Sequence, residues 1–369
     1  MHDDIFNGMP SIILKQRPFY SIIIPCYNSK KTLGVLLDSI IAQDMNDEIE
    51  VVLADDCSTE SYQDVVDKYK DILSIRQIKT DYNFAPGNTR EKGVSIAEGE
   101  WICFADHDDE FIPESLKKIK NIIVSNNEDK FIMADFNEVN PETREIIKEY
   151  KYDKNLLHAK FFNLDNFWKK YDLHFIKDLR THEDICLMSQ AYCASLASKK
   201  PPLYINEVIY CWMVRDDSLS RKRYQDESFI EIFFKDYIES TGYTYIDCFY
   251  KYNLDYELTL LSALEVLVYC YFYIQGIKFN NCYNFVDKNE EYAKKYLITI
   301  KEMFNISNQE IIDIASRYEA DMYIDVRKSA NLYVGTFIES DTFLQFLNRL
   351  HEDAPIRETM SQVMRKENL

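Results

Sequence analysis

Short apolar runs alternate with stretches of helical spacing through residues 21–136, and no other feature of the chain restricts its fold so strongly. Residues 21–25, 49–54, 75–78, 101–105 and 131–136 read as compact strands. Between them, Leu33, Leu36, Leu37, Ile40 and Ile41 recur at helical spacing, and Val65, Val66 and Tyr69 suggest a second helix. Residues 88–97 read as a third helix. A fourth is expected to run to about Val124 with Pro113 in its first turn. Strand and helix in alternation imply βαβ units and an α/β domain built on a Rossmann-like, mostly parallel sheet. Such sheets bind ligands outside the carboxyl ends of their strands. Polar clusters stand at those ends: Cys26-Tyr27-Asn28 after the first strand, Asp55-Asp56 after the second and Asp106-His107-Asp108-Asp109 after the fourth. Three clusters on one sheet edge can converge on one ligand.

The last of these clusters carries the most chemistry. Trp101-Ile102-Cys103-Phe104-Ala105 is an apolar strand that runs straight into three acids. Neighbouring carboxylates repel one another, so the arrangement is costly without a cation. Oxygen ligands suit a hard divalent ion, Mn²⁺ or Mg²⁺, which can bridge a diphosphate. An isolated D-x-D also occurs in acidic loops and helix caps; its place at a strand end, after two similar clusters, favours the metal. His107, inside the motif, is expected to point away from it.

Four ordered motifs then resemble family 2 glycosyltransferases, which have the GT-A fold. Ser21-Ile22-Ile23-Ile24-Pro25-Cys26-Tyr27-Asn28 is similar to that family's opening strand. Glu50-Val51-Val52-Leu53-Ala54-Asp55-Asp56-Cys57-Ser58-Thr59 is similar to its nucleoside-binding strand, with Cys57 where a Gly usually stands. Residues 83–93 and 97–101 resemble the segment leading into the metal motif, with Glu91 in place of the usual Asn. The resemblance covers residues 19–125 and resumes more faintly over 158–221. It implies that Pro25, Tyr27 and Asn28 line a nucleotide pocket and that Asp55 or Asp56 accepts a hydrogen bond from uracil. It further implies that Asn83 and Arg90 contact the nucleotide, and that Asp106 and Asp108 hold the metal, with Asp108 the direct ligand.

Thr181-His182-Glu183-Asp184 precedes an apolar helical run. Acids there can simply cap a helix and offset its dipole. In the resembled family a Glu-Asp pair at this stage supplies the catalytic base, which implies that Asp184, beside Glu183, takes a proton from the acceptor hydroxyl and that the transfer inverts the anomeric centre. Lys160, in Leu157-His158-Ala159-Lys160-Phe161, is expected either to meet the donor phosphates or an acidic acceptor, or to be solvated; His158 reads as a polar loop residue. Residues 210–221 resemble the family's closing segment, whose Arg215 and Ser218 would fold over the diphosphate and exclude water.

Beyond about residue 224 the texture becomes that of aromatic-rich helices. We expect a GT-A domain over 1–226 and an all-helical domain over 227–369 that oligomerises the protein or grips the acceptor. The run 258–274 contains Glu265 and is short, so a buried helix is expected rather than a membrane span. The N-terminus shows no apolar signal-peptide core. The nine cysteines form no C-x-x-C pair, as for buried thiols in a cytoplasmic protein. A net charge of −19 disfavours nucleic acid as a partner. The expected function is metal-dependent transfer of a sugar from a UDP-sugar to a glycan, cell-wall polymer or protein. Rival readings are a nucleotide-sugar-binding module without turnover, a nucleotidyltransferase, which would release pyrophosphate, and a glycosyltransferase acting on modified DNA, which would need a basic patch.

Overall fold

The structure is a computed structural model that describes residues 17–83, 85–128, 130–215, 235–279, 283–317 and 342–352. Its first part is a nine-stranded sheet. In chain order the elements are β1 (Tyr20–Cys26), α1 (Leu33–Ile41), β2 (Ile49–Asp55), α2 (Gln63–Tyr69), β3 (Ser74–Lys79), α3 (Pro86–Ile96) and β4 (Trp101–Phe104). There follow β5 (Glu110–Phe111), α4 (Ser115–Asn126), β6 (Phe131–Val139), β7 (Ile146–Tyr150), β8 (Lys160–Asn163), α5 (Glu183–Ser198) and β9 (Leu203–Met213). The spatial order is β3-β2-β1-β4-β8-β6-β9-β5, with β7 on β6.

The sheet is mixed rather than mostly parallel. β3, β2, β1 and β4 are parallel, as the strand–helix alternation requires, and β6 is parallel to β9. β8, however, pairs antiparallel with both β4 and β6, and the edge contacts β5–β9 and β6–β7 are also antiparallel. No helix separates β6 from β7, so that pair closes as a hairpin-like unit. Strands buried on both faces read as continuous apolar runs. Accordingly Ile22, Ile23 and Ile24 of β1 and Val51, Val52 and Leu53 of β2 are fully buried. One face packs on α1, α2 and α4, the other on α3 and α5. Gly93 lets α3 lie close to β1: a Cβ there would sit 2.5 Å from Ile23 Cγ2. The Pro113 expectation fails. Glu114 takes a left-handed φ of 58° and α4 begins at Ser115, so the proline belongs to the turn before the helix.

The register sets the sheet edge. Cys26 stands opposite Asp55, and the Asp56 amide donates to Cys26 O at 2.8 Å. The Ala105 amide reaches Ile23 O at 3.1 Å, so the loops after β1, β2 and β4 leave the sheet side by side.

Helices dominate after residue 235: α6 (Tyr243–Tyr252), α7 (Tyr256–Phe279), α8 (Val286–Phe304) and α9 (Phe343–Glu352), with a further helical stretch over 308–317. Among the described residues, α7 is long and apolar enough to cross a membrane by length and composition, but 83% of its most apolar window is buried inside the protein. Ala263, Leu264, Leu267, Cys270 and Ile274 form the centre of this second core. Towards the C-terminus residues 342–352 are described, and there α9 agrees with the helical texture expected beyond residue 224. The helical part docks on the beginning of α5. Asp236 Oδ2 accepts from the Arg180 and Thr181 amides at 3.1 and 3.2 Å, and Cys186 Sγ lies 3.1 Å from Thr244 Oγ1.

Candidate active site

The loops after β1 and β2 are tied into one wall. Asn28, at a left-handed φ of 50°, accepts through Oδ1 from the amides of Thr59 and Glu60 at 3.0 and 3.1 Å. Its own amide donates to Ser58 Oγ at 3.0 Å. Asp55 Oδ1 accepts from the Ser58 amide at 2.9 Å, and Lys79 stands 3.3 Å from its other oxygen. α2 begins only at Gln63, so Asp55 and Asp56 cap no helix. Asp56 is nearly buried and receives the Asn83 amide group at 3.1 Å. Pro25 is half-buried in β1, and Tyr27 projects into solvent beside this wall at 46% exposure. Cys57 explains the usual glycine at its position: its φ is 59°, a conformation that glycine adopts without strain.

The acids after β4 divide their work. Asp109 is fully buried, with Oδ1 accepting from the Met213 amide at 2.8 Å and Oδ2 from the Tyr210 hydroxyl at 2.6 Å. Tyr210 Oη in turn accepts from the Asp106 amide at 3.1 Å. Burial, together with the charges of Asp106 and Asp108, pushes the Asp109 carboxyl well above the usual carboxylate range. Asp109 thus fastens the end of β9 to the loop after β4. Replacing it by Ala orphans two buried donors and leaves a cavity. A loss of about 2–4 kcal/mol is expected, read as a lower denaturation midpoint.

Asp106 and Asp108 are partly open, with side chains 34% and 28% exposed. Burial works against the Asp106 carboxylate, but Arg90, with His158 and His107, holds it below the usual range. Burial, and then the charge of Asp106, raises Asp108, whose carboxylate is ion-paired with Arg215. His107 Nδ1 lies 2.8 Å from Thr32 Oγ1, and its charge also bears on Asp108 and Asp106. His158 turns toward the acids: ligand atoms of Asp106, Asp109 and His158 lie within 4.8 Å of one another. Its imidazole stacks on Tyr210 and Trp212 with centroids 5.4 and 5.2 Å away, and burial drops its pKa to about 4. As a polar loop residue it was undervalued in the sequence; only its closeness to the family-like Lys160 hinted at more.

The donor chemistry at this corner fits a hard divalent cation. Ligand atoms of Asp106, Asp109 and His158 gather there, while Asp108 stands outside that group, paired with Arg215 as Asp106 is with Arg90. Asp109, with both oxygens taken, is the poorest ligand of the set.

Across the cleft, α5 starts at Glu183, after His182 at a left-handed φ of 63°. The N-cap residue His182 makes no side-chain cap, but Asp184 takes a free first-turn amide of α5, as the plain helix-start reading expects of one of the acids. Glu183 Oε1 instead accepts from Arg90 Nη1 at 2.8 Å, while Arg90 Nη2 reaches Asp106 Oδ1 at 2.8 Å. Arg90 therefore joins a carboxylate from each side of the site. Asp184 Oδ1 accepts from the neighbouring Ile185 amide at 2.8 Å. Burial, and then the charge of Glu183, raises its pKa to about 7. Glu91, the departure from the usual Asn, accepts from the Phe175 amide at 3.0 Å and so ties α3 to the approach to α5.

Lys160 is neither solvated nor at the open corner. It is fully buried, with Nζ donating to His158 O at 2.8 Å and lying 5.4 Å from the centre of the Phe136 ring, and burial lowers its pKa to about 8. Ser218, the other residue expected over the diphosphate, lies outside the described residues, as does the 226/227 domain boundary.

A half-parallel α/β sheet with the loops after β1 and β2 tied into one wall, an acid corner after β4 and an acid pair on a later helix, continued by helices, is a GT-A glycosyltransferase architecture. The chain carries a family 2 glycosyltransferase domain: residues 21–182 match the Glycosyl transferase family 2 model. It is 31% identical over 185 residues to TarS of Staphylococcus aureus, a poly(ribitol-phosphate) beta-N-acetylglucosaminyltransferase, covering 47% of this chain and 32% of that one. A poly(ribitol-phosphate) beta-glucosyltransferase of Bacillus spizizenii is 35% identical over 114 residues, 30% of this chain and 18% of its own. The chain thus spans a third or less of the length of these relatives. The crystal structure of S. aureus TarS 1-349 with UDP-GlcNAc superposes with a TM-score of 0.59 at 21% identity, over 85% of this chain and 89% of that one, a likeness of fold.

Proposed function

We propose that the protein transfers a sugar from a UDP-sugar to a hydroxyl of a cell-wall or related glycan polymer, with inversion at the anomeric carbon. The observation that carries this reading is that Arg90 bonds both Asp106, after β4, and Glu183, at the start of α5, which brings the two groups of acids to one place. The polymer acceptor and the uridine donor rest on the relatives, which act on poly(ribitol-phosphate) by name, and on the TarS complex with UDP-GlcNAc.

In this reading the wall formed by Pro25, Tyr27, Asn28, Asp55, Asp56 and Asn83 receives the nucleoside. Asp106 and Asp108 hold Mn²⁺ or Mg²⁺ with His158 beside them. When bound, such a cation would supply positive charge for the departing diphosphate. Asp184 accepts the proton of the acceptor hydroxyl as its oxygen attacks the anomeric carbon, and the bond to the diphosphate oxygen breaks on the opposite face. One displacement inverts the centre. Arg215, released from Asp108 when donor enters, pairs with the leaving diphosphate and helps to exclude water. The helical part supports α5 and offers surface for acceptor or for a second copy, and a cytoplasmic setting suits the free thiols.

A screen of nucleotide-sugars by thermal shift with Mn²⁺, followed by UDP release on poly(ribitol-phosphate), tests the proposal. A UDP-sugar should raise the melting temperature only with metal, and UDP should appear in step with polymer glycosylation. Binding without release would mark a module without turnover, and pyrophosphate release from a nucleoside triphosphate would mark a nucleotidyltransferase.

A further inference from the structure

We propose that Asp236 is a positioning residue for the acceptor-side acids: from the helical part of the chain it holds the bend Arg180-Thr181-His182, which sets where α5 begins and so where Glu183 and Asp184 stand. This rests on the transfer reading above, and it gives the helices a part in turnover besides any surface they offer.

Asp236 is only 9% exposed. Its Oδ2 accepts from the Arg180 amide at 3.1 Å, the Thr181 amide at 3.2 Å and the Thr181 hydroxyl at 3.3 Å. Burial raises its carboxyl above the usual range, and these three bonds work against that rise, with help from Lys235. All three donors come from the two residues before His182. His182 itself takes a left-handed φ of 63°, which is unfavourable for a residue with a Cβ and persists only where its surroundings fix it. The helical part supplies such surroundings. Thr181 Oγ1, held by Asp236, lies 3.0 Å from His182 Nδ1, and the Tyr237 ring meets the imidazole edge-on with centroids 5.1 Å apart. Asp236 is fixed in turn, because Ser240 Oγ donates to its carbonyl oxygen. The His182 carbonyl accepts from the Cys186 amide at 2.9 Å and so opens α5. One run of contacts thus leads from Asp236 through the bend to the first turn of the helix that carries the base.

The sheet-side helix α3 grips the same segment from another direction. Glu91 holds the Phe175 amide, Asn88 exchanges two hydrogen bonds of 3.1 Å with Asp178, and a Cβ on Gly87 would stand 3.0 Å from Glu183 Cβ. Asp236 and Tyr237 supply the grip on residues 180–182, between those contacts. Asp184 is the second residue after His182, so a shift of the bend moves the base relative to the anomeric carbon. A displacement of about 1 Å between reacting groups can cost about 10²-fold in rate, even when its source is far from the chemistry. Asp236 lies beyond residues 21–182, so the part of the chain that matches the family model does not include it.

The test compares Asp236→Ala with Asp236→Asn, read as kcat and as the Kd for UDP with Mn²⁺. Alanine removes the acceptor of all three donors, and kcat should fall about 10²-fold. Asparagine keeps an oxygen for the two amides, and most of kcat should survive. The Kd should change by less than about threefold in both, because the lost contacts touch neither the nucleotide wall nor the acid corner. Ile300→Val, a small truncation in the helical core, is the control for stability alone: it should lower the melting temperature and leave kcat unchanged. The proposal is overturned if Asp236→Ala keeps wild-type kcat, if asparagine loses as much as alanine, if the loss appears in the donor Kd, or if Ile300→Val lowers kcat in step with its melting temperature. Should Asp236→Ala not fold, Thr181→Val, which takes away one of the three donors, replaces it: kcat should fall with the donor Kd held, and an unchanged kcat overturns the proposal. Should wild-type protein show no transfer, the functional reading fails instead. Amide exchange over residues 180–186 then decides: faster exchange in Asp236→Ala but not in Asp236→Asn supports the placement, and any other pattern overturns it.

Discussion

Asp184→Asn should abolish most turnover and leave the donor bound. A positioned general base contributes about 10²–10⁴-fold, and kcat is expected to fall within that range. The substitution is nearly isosteric and its amide oxygen can still accept from the Ile185 amide, so the start of α5 should keep its shape. The Kd for UDP with Mn²⁺ should change by less than about threefold, because the lost group acts only in the transition state. The pH profile gives a second readout. Burial and Glu183 raise the Asp184 pKa to about 7. A base works only when deprotonated, so activity should be low at acid pH and rise through a midpoint near that value. Because like charge from Glu183 contributes to the rise, Glu183→Gln should move the midpoint down. Full activity of Asp184→Asn would remove Asp184 from the base role.

Asp108→Ala is expected to remove metal-dependent donor binding with little effect on the fold. The three acids after β4 are neighbours in sequence but not equivalent in place. Asp109 is sealed under β9 by Tyr210 and Met213, whereas Asp108 is partly open and touches Arg215. Removing Asp108 frees a partly exposed arginine, so the melting temperature should move little. Without this carboxylate the corner loses a ligand, and the Mn²⁺-dependent gain in UDP affinity should drop by at least about tenfold, since loss of even an outer-shell partner of a metal ligand costs about that much. A metal-dependent gain as large as in wild type would assign the cation to other side chains, with His158 the first to examine.

The parallel half of the sheet was legible because each strand there is buried on both faces and each helix shows its apolar stripe. Observed ends fall within a residue or two of the apolar runs for β1, β2, β3 and β4. The antiparallel half was not. The direction in which β8 inserts between β4 and β6 depends on pairings between residues far apart in sequence, such as Trp101 with Asn163 and Phe131 with Phe162, and no local period encodes them. The site divides in the same way. The sheet-edge positions of Asp55, Asp56, Asp106 and Asp108 were legible because topology alone places strand ends there. The roles of Arg90, Lys160 and His158 were not, since each depends on what folds over it: Glu183 arrives from α5, Phe136 from β6, and Tyr210 with Trp212 from β9. The Cys57 and Glu91 departures became intelligible only with a φ of 59° and a bond to Phe175 in view.

A crystal grown with Mn²⁺ and UDP tests the central claim most directly. The account predicts an anomalous peak between Asp106 and Asp108, diphosphate oxygens on the metal, and Arg215 withdrawn from Asp108. Nucleotide bound with no metal at that corner, and Arg215 still paired to Asp108, would contradict it.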